Sequence, residues 1–158
     1  MRPGPHEPNN WVYGDCYPAY GMIETPSDIQ GTDNELTFYS YTGQWMGGAT
    51  NLVRHTIRMD GFVSLHAGGK KEEKIVTKPF VFEGEKLYAN ISTSARGYLY
   101  FKITATDGTV VESCEIFGDS IDHPIAIAKG EIAAVSGKEV VMEVRMRDAD
   151  IYSFHFEK

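Results

Sequence analysis

Cysteine is scarce in this chain: two in 158 residues, Cys16 and Cys114. They lie far apart and neither stands at a paired ligand spacing, so neither a disulfide framework nor a zinc site is signalled, and two free thiols are the plain reading. Positive charge is also in short supply. Fifteen Lys and Arg against 22 Asp and Glu give a formal net charge of -7, which repels phosphate backbones. The one lysine-rich run, Lys70, Lys71 and Lys74, is interrupted by Glu72 and Glu73, so no nucleic-acid partner is expected. No apolar run approaches the roughly 20 residues of a membrane-spanning helix, and no membrane partner is expected. Residues 1–10 carry no apolar signal-peptide core, and the sequence assigns no compartment.

Helical periodicity is missing too: no stretch of about 10 residues or more alternates as an amphipathic helix does. What is present is period two. Residues 1–34 are punctuated by Pro3, Pro5, Pro8, Pro18 and Pro26 with Trp11, Tyr13, Tyr17 and Tyr20 between them, which reads as irregular backbone. Strand signals then recur at short spacing. Glu35 to Tyr41 is the first strong one. Leu52 to Met59 sets Val53, Ile57 and Met59 against Arg54, Thr56 and Arg58, with His55 interrupting the apolar face. Phe62 to His66 follows the Asp60-Gly61 turn signal. Lys74 to Phe82 and Lys86 to Ser92 flank Glu83-Gly84-Glu85, which predicts a hairpin. Tyr98 to Ala105 places Leu99, Phe101, Ile103 and Ala105 on one face before Asp107-Gly108, the clearest hairpin turn in the sequence. Val140, Met142, Val144 and Met146 alternate with charged residues until Asp148 to Asp150, read as a turn into Tyr152, Phe154 and Phe156. Many short strands predict an all-β fold, an antiparallel β-sandwich of jelly-roll-like form.

Few residue groups offer chemistry. Asp119 with Asp122, and Asp148 with Asp150, are the close carboxylate pairs, but both lie in turn-like sequence where Asp bonds its own backbone. No cofactor is signalled. Asp148 and Asp150 are candidate oxygen ligands for calcium, although the further ligands of a roughly six- to eight-coordinate site are not apparent nearby. His6, His55, His66, His123 and His155 show no metal spacing. Spacing alone leaves a Ser-His-Asp set open, yet there is no Gly-x-Ser-x-Gly elbow, and Ser64 and Ser153 fall in predicted strands. No catalytic residue is assigned.

An aromatic constellation is more informative. If Leu99, Phe101 and Ile103 face the core, Tyr98 and Tyr100 share the opposite face, and Tyr88 does the same opposite Leu87, Ala89 and Ile91. Tyr88, Tyr98 and Tyr100 are therefore candidate carbohydrate-binding residues, because aromatic rings stack on pyranose C–H faces and a phenol bonds sugar hydroxyls. The same three also suit cross-strand aromatic pairs or a covered domain contact.

The run from Arg58 to Gly68, then Thr77-Lys78-Pro79-Phe80, Cys114 to Ser120, Gly137-Lys138 and Arg145 to Phe154 together resemble the C-terminal β-sandwich of bacterial glycoside hydrolase-like proteins. In those proteins the sandwich follows a five-bladed β-propeller similar to the invertase and fructanase clan. Gly21 to Glu24, Glu35 to Tyr41 and Leu52 to Met59 are similar to strands of the last blade. The resemblance implies residues 1–59 as an irregular N-terminus with blade-like strands and 60–158 as the sandwich. It carries over no catalytic carboxylate, since those sit on blades this chain lacks, and Cys114-Glu115 reverses the clan's Glu-Cys pair. It implies a non-catalytic accessory domain that binds carbohydrate or supports an enzyme that does; the alternatives are a structural assembly module and, last, an independent hydrolase. A lone blade leaves Leu36, Phe38, Val53 and Ile57 open, so residues 21–59 are expected to self-associate or meet a propeller.

Overall fold

The computed structural model describes residues 17–43 and 50–158; His6, Cys16 and the prolines and aromatics up to Tyr13 lie outside them. The chain divides into two compact units, Met1–Met59 and Asp60–Lys158. Both are built of antiparallel strands, and the only helical element among the described residues is one 3-10 turn, Ile132–Ala134.

In the first unit β1 (Ile23–Thr25), β2 (Glu35–Thr42) and β3 (Asn51–Arg58) form a sheet in that order. Period two decides its faces. Arg54 lies among Thr25, Thr37, Glu35 and Asp28, bonding all four. On the other face Leu36 pairs with Ile57, Phe38 with His55 and Ser40 with Val53. His55 fits there because its ring stacks on Phe38 at 5.2 Å and its Nε2 shares a 2.7 Å hydrogen bond with Ser40 Oγ. Of the four residues expected to be open, Val53 is exposed while Leu36, Phe38 and Ile57 are half-buried.

The second unit holds β4 (Leu65–Ala67), β5 (Glu73–Val76), β6 (Phe80–Val81), β7 (Lys86–Ala105), β8 (Val110–Ser113), β9 (Asp119–Pro124), β10 (Ile127–Lys129) and β11 (Glu139–Glu157). β7 and β11 are its spine. They pair with each other along almost their whole length, β4, β5 and β6 line the far edge of β11, and β8 and β9 line the far edge of β7, with β10 beyond β8. Twenty extended residues would reach about 66 Å, several times the roughly 13 Å radius of gyration of a domain this size, so both strands must bend. Phe80 shows that they do. It pairs with Val140 near the start of β11 and lies about 6 Å from the rings of Phe154 and Phe156 near its end. One sheet thus folds back upon itself as a sandwich, and Leu87, Ala89 and Ile91 from one half share a core with Leu99, Phe101, Ile103, Val140, Met142 and Val144 from the other.

The bend corrects two expected turns. Asp148 to Asp150 does not reverse the chain: β11 runs through it, with register shifts between Arg147 and Ala149 and between Ile151 and Ser153. Asp148 takes a φ of 47°, a left-handed conformation Asp tolerates and a bulge requires. The expected Glu83-Gly84-Glu85 hairpin is also absent, because β5 and β6 pair with β11 and not with β7. In both places pairing between distant strands overrides local turn chemistry.

Candidate functional site

Tyr98 and Tyr100 stand together on the outer face of the sandwich, half-buried, with ring centres 5.6 Å apart at 65°. Their cross-strand partners on β11 are Arg147 and Arg145, and the Arg145 guanidinium sits 5.1 Å over the Tyr100 ring. The Tyr98 hydroxyl donates to Glu72 at 3.1 Å and the Tyr100 hydroxyl to Glu115 at 2.5 Å. Both phenols are pushed above the ordinary tyrosine range, Tyr98 by desolvation and then its bond to Glu72, Tyr100 by its bond to Glu115 and then desolvation. Tyr88 is not with them. It belongs to the half of β7 beyond the bend, pairs with His155 and Pro124, and stacks on the His155 ring at 5.3 Å. Because the sheet folds back between them, its outer face and theirs look in opposite directions. Tyr88 and Tyr100 each have one ring face covered by a neighbour, while Tyr98 lines a cavity.

That cavity, about 510 Å³, is lined by Thr93 to Tyr98, Glu115 and Phe117 to Asp119. Its origin is a mismatch in strand length. Thr93 N–H donates to the Gly118 carbonyl, and Leu99 exchanges both backbone hydrogen bonds with Ile116. Between those anchors β7 must fit residues 94 to 98 opposite Phe117 alone. On its other side, Thr93 pairs with Ala149 and Tyr98 with Arg147, so residues 94 to 97 face only Asp148. The surplus backbone bows out and leaves a cleft beside it. Ser94 Oγ ties the bow to Asp148 Oδ2 at 2.5 Å and accepts the Arg96 N–H at 3.1 Å. Phe117 is left 67% exposed, an uncommon state for a phenylalanine and one that marks a contact surface when other groups converge on it. The cleft joins two aromatic rings, two carboxylates, a guanidinium and the aliphatic hydroxyls of Thr93 and Ser94.

Arg96 is not singled out by the sequence, Glu115 enters it only through the reversed Cys114-Glu115 pair, and Phe117 only within the run Cys114 to Ser120. The signal that bears on it is Phe-Gly-Asp at a strand end, an aromatic followed directly by turn formers. Asp119 and Asp122, expected in a turn, instead belong to β9. Asp148 and Asp150 do not converge on one point: Asp148 binds Ser94, while Asp150 accepts from Ser64 at 2.7 Å and pairs with His66 at 3.1 Å. No group of three or more metal-ligating side chains occurs among the described residues. The Ser64, His66 and Asp150 set has the wrong order for nucleophilic catalysis, with the carboxylate between hydroxyl and imidazole where the imidazole is needed. Ser40 does touch His55, but it is only 1% exposed. Set against known proteins, the chain matches no family model, no curated protein and no solved structure.

Proposed function

We propose that residues 60–158 form a non-catalytic carbohydrate-binding sandwich, an accessory domain to glycoside hydrolase-like chemistry carried elsewhere, with the cleft beside Tyr98 as its binding site. One observation carries the reading: exposed Phe117 and half-buried Tyr98 share a cavity with Glu115, Asp119 and Arg96. A pyranose presents apolar C–H faces and a rim of hydroxyls, and its recognition needs flat aromatic surface next to planar groups that hydrogen-bond through two atoms. Tyr100 supports the site from behind by bonding Glu115. A glycan array followed by calorimetry on the hits tests this. Phe117→Ala is expected to weaken binding about tenfold or more, the equivalent of about 1.4 kcal/mol, while the thermal midpoint holds, since truncation of an exposed side chain costs within about 0.5 kcal/mol. Equal loss of binding and stability, or unchanged binding, would count against the cleft.

A second reading concerns the first unit and stands beside the first. Met22, Ile23, Leu52 and Val53 are all exposed; alternation puts Ile23 and Leu52 on one face of a small sheet and Val53 on the other, so both faces offer apolar surface that favours assembly, either with a second copy or with a propeller-type neighbour.

A further inference from the structure

We infer that the cleft selects neutral sugars over uronic acids; this rests on the carbohydrate reading above and narrows it. The argument comes from which hydrogen-bonding roles are already filled. Glu115 accepts the Tyr100 phenol on Oε2, which fixes its plane, and among the described residues its Oε1 has no partner. A carboxylate oxygen only accepts, so the ligand atom it meets must be a donor. Ser94 spends its proton on Asp148. Thr93 Oγ1 accepts the Gly118 N–H at 3.0 Å, which leaves its own proton to be donated. Arg96 makes no ion pair among the described residues and only donates. The ligand must therefore offer donors toward Glu115 and acceptors toward Thr93 and Arg96.

A hydroxyl does both, and two on neighbouring ring carbons meet both needs at once. A uronate fits badly. Its carboxylate accepts only and would enter a cleft that already holds Glu115 and Asp119, on a chain of net charge -7, against one guanidinium. Like charges brought together in a partly desolvated cleft oppose binding, which is how a site rejects a near-isostere.

The test titrates the full chain by calorimetry with neutral oligosaccharides of gluco, galacto and manno configuration, each beside its uronic-acid counterpart. The neutral member of a binding series is expected to bind about tenfold or more tighter than its uronic-acid counterpart. Glu115→Gln is expected to weaken the neutral ligand several-fold and to narrow its lead over the uronate. Arg96→Gln, on the bowed segment, is expected to weaken the neutral ligand without changing the order. A uronate that binds as well as its neutral counterpart, or a preference untouched by Glu115→Gln, overturns the inference while leaving carbohydrate binding intact. If no series binds at all, the carbohydrate reading itself falls.

Discussion

Gly97 lies where β7 bows past Asp148, and it has no space for a side chain. A Cβ built there would stand 2.1 Å from the Asp148 carbonyl oxygen and 2.9 Å from Thr93 Cβ. Gly97→Ala must push β7 and β11 apart at the bend, so a loss of about 2–4 kcal/mol in urea unfolding is expected. Gly108 makes the contrast: its φ of 85° strains an alanine, but nothing lies within 4 Å, and about 1 kcal/mol is expected there. A second residue-scale expectation concerns Tyr100. Its bond to Glu115 favours the neutral phenol in the folded chain. The resulting stability is complete below the ordinary tyrosine pKa and is lost as pH rises through the folded one. Subtracting the phenolate absorbance curve of Tyr100→Phe from that of the parent should reveal one tyrosine titrating above the ordinary range. Glu115→Gln should move it back down, and a curve that does not move would mean the bond is not made in solution.

Among elements, the bent β11 depends on what clamps its two ends. Phe82 is buried and its ring stacks on Phe156 at 3.6 Å, while Phe80 beside it meets Phe154 and Phe156. Removing the ring in Phe82→Ala is expected to cost about 3 kcal/mol, the range for a large aromatic core truncation. Val81, between them and 61% exposed, should tolerate alanine within about 0.5 kcal/mol by the same denaturation measurement. These elements also show what sequence can and cannot reveal. Leu99, Phe101 and Ile103, and Val140, Met142, Val144 and Met146, alternate plainly and are all buried. The Asp107-Gly108 hairpin is equally legible, since Thr109 N–H bonds Asp107 Oδ1 at 2.9 Å and Ala105 N–H bonds the Thr109 carbonyl. The inward parity of β11 then switches to Ala149 and Ile151 at Asp148, whose left-handed backbone breaks the alternation opposite four residues of β7, and back to Phe154 where Tyr152 is one residue more than β7 supplies. A bulge is fixed by the partner strand, so its sequence, Asp148-Ala149-Asp150, looks like a turn. The site divides the same way. Tyr98 and Tyr100 follow from alternation, whereas Phe117 and Arg96 owe their exposure to a mismatch between segments some twenty residues apart.

At the scale of the molecule, the apolar surface of the first unit makes concentration a variable. Sedimentation at micromolar concentration is expected to show self-association of the parent chain and a monomer for Leu52→Glu, which places charge on a side chain that is 57% exposed; a parent chain that sediments as a monomer would dismiss the assembly reading. The second unit carries a different consequence of its topology. Its central strand, residues 139–157, is the partner of β4, β5, β6 and β7 alike, and all of them precede it in the chain. During synthesis β4, β5 and β6 leave the ribosome with their pairing edges unmatched, β7 has only the edge that meets β8 and β9 filled, and the core between the two halves cannot close until β11 follows. Contacts of such long sequence separation are slow to form and expose aggregation-prone edges meanwhile. Nascent chains stalled before residue 139 should therefore stay bound to chaperones and open to protease, and release should come as one late step, as the hub strand slots between neighbours that have been waiting for it.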